Sequence, residues 1–167
     1  MFETSARSKM TEEPSFSVSR DIDAARELVW QMWTEADMMK RWWGPKGFST
    51  TFCKIDFHVG GKFLMCERGP DGKDMWTTGK YREIVPLLRI VCSVSFADEK
   101  GNVVPASFYG MTGNFPLEML WTIVFEDHFS RTRLTVRHSG ISPGVDTDNA
   151  RQGWEQSFDK LKDAVKK

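Results

Sequence analysis

The sequence predicts an α+β domain in which a curved antiparallel sheet wraps a long C-terminal helix. Two patterns carry that reading. Between Thr51 and His138, successive segments alternate apolar and polar residues with a period of two and no helical segment intervenes, which argues for antiparallel hairpins rather than a parallel sheet. Toward the C-terminus, Trp154, Phe158, Leu161 and Val165 recur at helical spacing and make one apolar stripe.

Taken in order, residues 1–14 read as a flexible leader, because their Thr, Ser, Glu and Lys offer little to bury. Ser15 to Arg20 alternates around Phe16 and Val18 and reads as a first strand. A helix is expected from about Ala24, with Asp23 as its N-cap and Leu28, Val29, Met32 and Trp33 on its apolar face. Thr34 caps a second short helix through Met39, which Gly44 and Pro45 bring to an end. Strands follow at Thr51 to Phe57, Lys62 to Glu67, Trp76 to Val85 and Leu88 to Phe96, with turns at Gly60-Gly61 and at Gly69-Pro70-Asp71-Gly72. Residues 98–116 form a long connection, and Phe108, Tyr109, Met111 and Phe115 within it suggest a rim or lid. Strands resume at Leu117 to Phe125 and Arg133 to His138. In the first, Leu117, Met119, Trp121, Ile123 and Phe125 share a face; in the second, Leu134, Val136 and His138 do. The last helix runs from about Thr147 or Asp148 to Val165, roughly 27 Å, enough to cross a sheet.

Composition narrows the function classes. Lys+Arg and Asp+Glu both number 23, so the zero net charge provides no footprint for nucleic acid or an anionic membrane. Cys53, Cys66 and Cys92 lack CxxC spacing and read as reduced thiols; with no secretory h-region and no apolar run of membrane length, a cytoplasmic location is expected. No pair of histidines has ligand spacing with a carboxylate, and no phosphate loop or nucleophile elbow is present, so neither metal, cofactor nor catalytic residue is assigned.

Several segments together resemble a known family. They are Arg20, Glu27 to Trp30, Arg41 to Pro45, Gly60-Gly61, Pro70 to Gly72, Gly79 to Ile84, Ser95 to Glu99, Gly101-Asn102, Thr132 to Thr135 and Gly153-Trp154 with Phe158 and Leu161. In order and spacing they are similar to the family named for the activator of the heat-shock protein 90 ATPase, within the SRPBCC superfamily. The resemblance spans about residues 15–165, and the domain is taken as 15–167. It implies the START and birch-allergen-like helix-grip fold, in the order β-α-α-β6-α, with a hydrophobic pocket between sheet and helix. It also implies a stress-response setting for the co-chaperones that name the family, which carry an additional chaperone-binding domain. Small stand-alone members resemble binders of apolar or aromatic molecules, and relatives elsewhere in the superfamily include polyketide cyclases and hydratase-like enzymes.

The expected function is therefore binding of a small apolar or aromatic molecule by a monomer or homodimer, with a chaperone-binding module or a cyclase as alternatives. The expected cavity lining is Met119, Trp121, Ile123, Leu134, Val136, His138, Trp154, Phe158 and Leu161, and the expected mouth is Trp42, Trp43, Phe48, Phe108 and Met111. Most of these residues equally suit a plain packed core. His138 reads either as a strand-end histidine that is solvated or bonded to backbone, or as an imidazole orienting a ligand or acting as a general base. Glu118 is out of register with Trp121 and is expected to face solvent, as are His58 and His128 near turns.

Overall fold

The structure is a computed structural model that describes residues 14–113 and 115–166. The expected leader therefore lies, except for Pro14, outside the described residues. The elements are β1 (Ser15–Ile22), α1 (Arg26–Thr34), α2 (Ala36–Met39), β2 (Ser49–Ile55), β3 (Lys62–Arg68), β4 (Asp74–Val85), β5 (Arg89–Ala97), β6 (Met119–His128), β7 (Arg131–Ser139) and α3 (Val145–Ala164). All seven strands join one antiparallel sheet in the order β1-β7-β6-β5-β4-β3-β2. Five neighbours in that order are consecutive hairpins; the exception is β1, which pairs with β7 from Ser15↔Ser139 to Ile22↔Thr132. The chain thus closes its first and last strands together, and α3 crosses the concave face they complete.

Each strand turns alternate side chains toward α3, so the inward rows follow from register alone. Val94, Cys92 and Ile90 of β5, Trp121, Ile123 and Phe125 of β6, and Leu134 and Val136 of β7 are all buried. The stripe of α3 meets them with Trp154, Phe158 and Leu161, each at most 6% exposed. Arg20 pairs with Asp159 at 2.5 Å, and Arg151 donates to the Ser17 carbonyl while its guanidinium lies 5.0 Å over the Phe16 ring. These contacts fix α3 against β1, where the sheet has an edge.

The structure shifts several sequence expectations. The first helix begins at Arg26, not Ala24, and Ala25 rather than Asp23 occupies its N-cap without a side-chain bond. Ala24 is drawn out of the helix because its carbonyl accepts from the Thr132 hydroxyl of β7. Glu35, not Thr34, precedes the second helix. The last helix starts earlier, at Val145, after Gly144. Leu117 is 57% exposed because pairing with β5 begins only at Met119↔Val94. Among its described residues the 98–116 connection contains one 3-10 turn, Ala106–Tyr109; the Tyr109 hydroxyl donates to the Ala97 carbonyl and accepts from the Trp76 amide, tying the loop to β4 and β5.

Gly79 shows how tightly the sheet is packed under its aromatic layer. A Cβ there would lie 2.4 Å from the Phe63 ring and 2.0 Å from the Ser93 carbonyl oxygen. Phe63 in turn stacks near Trp121, with centroids 6.4 Å apart. Gly79→Ala is expected to destabilise the fold by about 1–3 kcal/mol through this overpacking, read as a lowered urea midpoint. An unchanged midpoint would show that the layer yields freely.

Candidate functional site

Tryptophan occupies the space that the helix would otherwise hold open. Trp154 of α3 lies 4.9 Å from Trp121, 5.3 Å from Trp43 and 6.2 Å from Trp33, centroid to centroid. Trp42, fully buried, donates its indole N–H to the Met32 carbonyl and packs 4.9 Å from Trp33. Such pairs add about 0.5–1.5 kcal/mol each beyond area burial. Behind them a void of only about 20 Å³ remains, lined by Trp33, Phe63, Tyr81, Ile90, Trp121 and Ile123 among others. It has room for one water and no organic ligand. The indole N–H groups of Trp33 and Trp121 are buried without a protein partner.

The usable space lies instead at one end of the sheet. One inward position at that end of each of five adjacent strands converges there: Glu67 on β3, Met75 on β4, Phe96 on β5, Met119 on β6 and His138 on β7. Register brings them together, since Glu67 pairs with Met75, Thr77 with Phe96, Val94 with Met119 and Trp121 with His138. The N-terminal part of α3 provides the facing wall through Asp146, Asn149, Ala150, Gly153 and Ser157, while Met111, Phe115 and Ile141 close the sides. The resulting cleft holds about 300 Å³ and opens to solvent.

On the sheet side of the cleft, two polar side chains, His138 and Glu67, sit among apolar ones. His138 is 5% exposed; its Nδ1 accepts from the Trp154 indole N–H at 3.1 Å, and its Nε2 lies 3.3 Å from the Met119 sulfur. Burial holds the imidazole down at about 4, so it is neutral at physiological pH. Accepting at Nδ1 assigns the proton to Nε2, and the ring is a donor there. A group of that pKa is a weak base near neutrality, so the geometry suits orientation of a ligand oxygen better than proton abstraction. His138 is thus neither solvated nor bonded to backbone, the arrangement its place at a strand end suggested.

Glu67 is the second. Its Oε1 accepts from the Trp43 indole N–H at 2.7 Å. Burial pushes the carboxyl above its ordinary value, while the Trp43 bond and the Lys160 ammonium pull the other way. Lys160 does not pair with it: the ammonium donates to the carbonyls of Trp43, Gly44 and Phe48 at 3.2, 3.1 and 2.9 Å. Those three bonds hold the turn after α2, where Gly44 adopts a φ of 104°, against the C-terminal part of α3. Burial also lowers the Lys160 pKa.

Comparison with known proteins places this geometry. Residues 23–166 match the family model described as activator of Hsp90 ATPase homolog 1-like protein. The chain belongs to that family. A protein from Arthrobacter aurescens, solved by NMR, is 25% identical and superposes with a TM-score of 0.74 over 91% of this chain and 86% of its own. A crystal structure of a protein from Chromobacterium violaceum is 25% identical, with a TM-score of 0.72 over 92% and 97%. The AHSA1 protein of Silicibacter pomeroyi, at 17% identity and a TM-score of 0.69 over 91% and 97%, is alike in fold. No curated protein matches the chain. The curved sheet closed by a C-terminal helix is the helix-grip fold of the SRPBCC/START-like superfamily.

Within this family framework the expected site residues divide. Met119, His138, Trp154, Trp43 and Met111 line the cleft. Trp121 and Ile123 face the small void instead, and Leu134, Val136, Phe158 and Leu161 are completely enclosed in the core. Trp42 is core rather than mouth. Phe48 packs beneath Gly69, and Phe108, 59% exposed, sits with Trp76 on a separate surface groove. The physical reason is one of length: large aromatics at the middle of the sheet fill the grip, so only strand-end positions stay open. Glu118 faces solvent and pairs with Arg82, and His58 is an exposed partner of Asp56. His128, half-buried, contacts Arg133. Among the described residues no cluster of His, Cys, Asp or Glu is arranged for a metal, and no helix is long and apolar enough to cross a membrane.

Sequence reasoning missed Glu67, Met75, Phe96, Ile141 and Asp146. The signal for Glu67 was present: it continues the inward row of Phe63 and Met65, as His138 continues that of Leu134 and Val136. The depressed His138 pKa sets a sign for acid stability. The unfolded chain takes up this proton below about 6.5 and the folded chain only below about 4, so His138 contributes to loss of stability as pH falls through that window, on the order of 3 kcal/mol in full. Urea titrations should show a smaller loss between pH 7 and 4 in His138→Gln, which keeps an acceptor for Trp154. Equal slopes in both proteins would contradict the assignment.

Proposed function

We propose that the chain is a non-catalytic carrier or sensor that takes a small, mostly apolar or aromatic molecule into the strand-end cleft. The observation that carries this reading is the convergence of five inward strand-end residues on one open, methionine- and aromatic-lined space of about 300 Å³. A space of that size suits a fragment to a small drug-sized ligand, and a few converging polar groups within an apolar lining are the usual form of such sites. Methionines at 75, 111 and 119 provide walls that adapt to ligands of different outline. His138 Nε2–H orients a ligand oxygen, while apolar burial supplies most of the affinity at about 25 cal/mol per Å² before the costs of association.

Ala150 offers the direct test, because it lines the cleft from α3 and is only partly buried. Thermal-shift and NMR screening with neutral flavonoids, polyketides and fused-ring aromatics should find ligands binding at about 10–100 μM. Ala150→Trp, which fills the cleft, should remove that binding while the melting temperature stays within a few degrees. Ligands that bind the filled variant equally well would place the site elsewhere, and no ligand from any class would count against the reading.

A further inference from the structure

The charge of the cleft restricts what it can take. Its lining carries the carboxylates of Glu67 and Asp146 and contains no lysine or arginine among the described residues. The nearest cation, Lys160, spends its ammonium on three backbone carbonyls, and Arg151 is bonded to the Ser17 carbonyl on the other side of α3. His138 is a neutral N–H donor there. Asp146 lies in the first turn of α3, where the helix N-terminus offsets part of its charge. Glu67 has only the Trp43 indole as a hydrogen-bond partner and makes no ion pair among the described residues. Its carboxyl is thus a half-buried acceptor whose charge is offset only by the Lys160 ammonium nearby, without a direct ion pair among the described residues.

On the reading that this cleft is a ligand site, we propose that it selects a small organic cation, an apolar aromatic body carrying an amine whose ammonium meets the Glu67 carboxylate. An ammonium arriving there makes the direct ion pair that Lys160 does not, inside a poorly solvated space where charge-assisted bonds are strong. A carboxylate or phosphate would meet two acids and no cation. A neutral alcohol would meet Glu67 as a donor, but without the Coulomb gain.

Three probes share one skeleton and differ only in the charged group: naphthylmethylamine, naphthylmethanol and naphthoate. Calorimetric titration of the full chain at neutral pH is expected to rank them amine, alcohol, naphthoate, with the amine about tenfold tighter than the alcohol. In Glu67→Gln, which retains an acceptor for Trp43, the amine-to-alcohol ratio should fall to about one, whereas Asp146→Asn should keep most of it. Alcohol binding that equals or exceeds amine binding in the unaltered chain overturns the cation preference while leaving the cleft a ligand site. So does a ratio that survives in Glu67→Gln. If none of the three displaces a cleft ligand or binds, both the site and its selectivity fall together.

Discussion

The hydrogen bond from the Trp154 indole to His138 Nδ1 joins the long helix to the last strand inside an apolar layer, and much of the molecule depends on it. It satisfies two polar groups that would otherwise be buried alone, at a cost of a few kcal/mol each. It also fixes the rotation of α3, because Trp154 can reach His138 only while its ring faces Trp121 and Trp43. Phe158 and Leu161, one and two turns further along, then fall onto the centre of the sheet. Lys160 faces the turn after α2 and secures that side through three carbonyls. That pair, the Lys160 bonds and the Arg20 and Arg151 contacts with β1 together set the register of helix on sheet.

That register determines where space can exist. With tryptophans from α1, the turn after α2, β6 and α3 meeting at the middle of the grip, the interior is filled to within about 20 Å³. The strands continue past this plug, and their inward rows end in Glu67, Met75, Phe96, Met119 and His138, which α3 faces with its N-terminal part, from Asp146 to Ser157. Small side chains on that stretch of the helix, Ala150 and Gly153, leave the cleft unfilled. A fold able to hold a deep cavity along its whole length here holds a shallow one at one end. The polar character of that end follows from the same geometry, since strand termini near solvent tolerate a glutamate and a histidine that the centre could not.

The architecture was legible because it rests on periodicity. The alternation in β6 and β7 and the stripe of Trp154, Phe158 and Leu161 each identify a buried face without knowledge of the partner. The element order and the antiparallel sheet follow from the same patterns. The site was legible only in part. Period alone marks a residue as inward without telling whether it sits at the plug or beyond it, so Phe158 and Met119 looked alike although one is core and the other cleft lining. Distinguishing them needs cross-strand register, which depends on the pairing of Val94 with Met119 and of Glu67 with Met75. Helix starts were displaced for a similar reason: a Thr132 hydroxyl distant in sequence holds the Ala24 carbonyl outside α1.

Tryptophan closes the interior of the grip and leaves the strand-end cleft as the space open to a ligand. Methyl NMR separates the two locations directly, because methionine methyls mark the cleft at Met75, Met111 and Met119, while Ile90, Ile123 and Met65 line the inner void. With a neutral aromatic ligand bound, intermolecular nuclear Overhauser effects should reach the three cleft methionines and leave Ile90, Ile123 and Met65 without contact. Effects concentrated on Ile90 and Ile123 would mean that the tryptophan layer opens to admit the ligand, and would contradict the account.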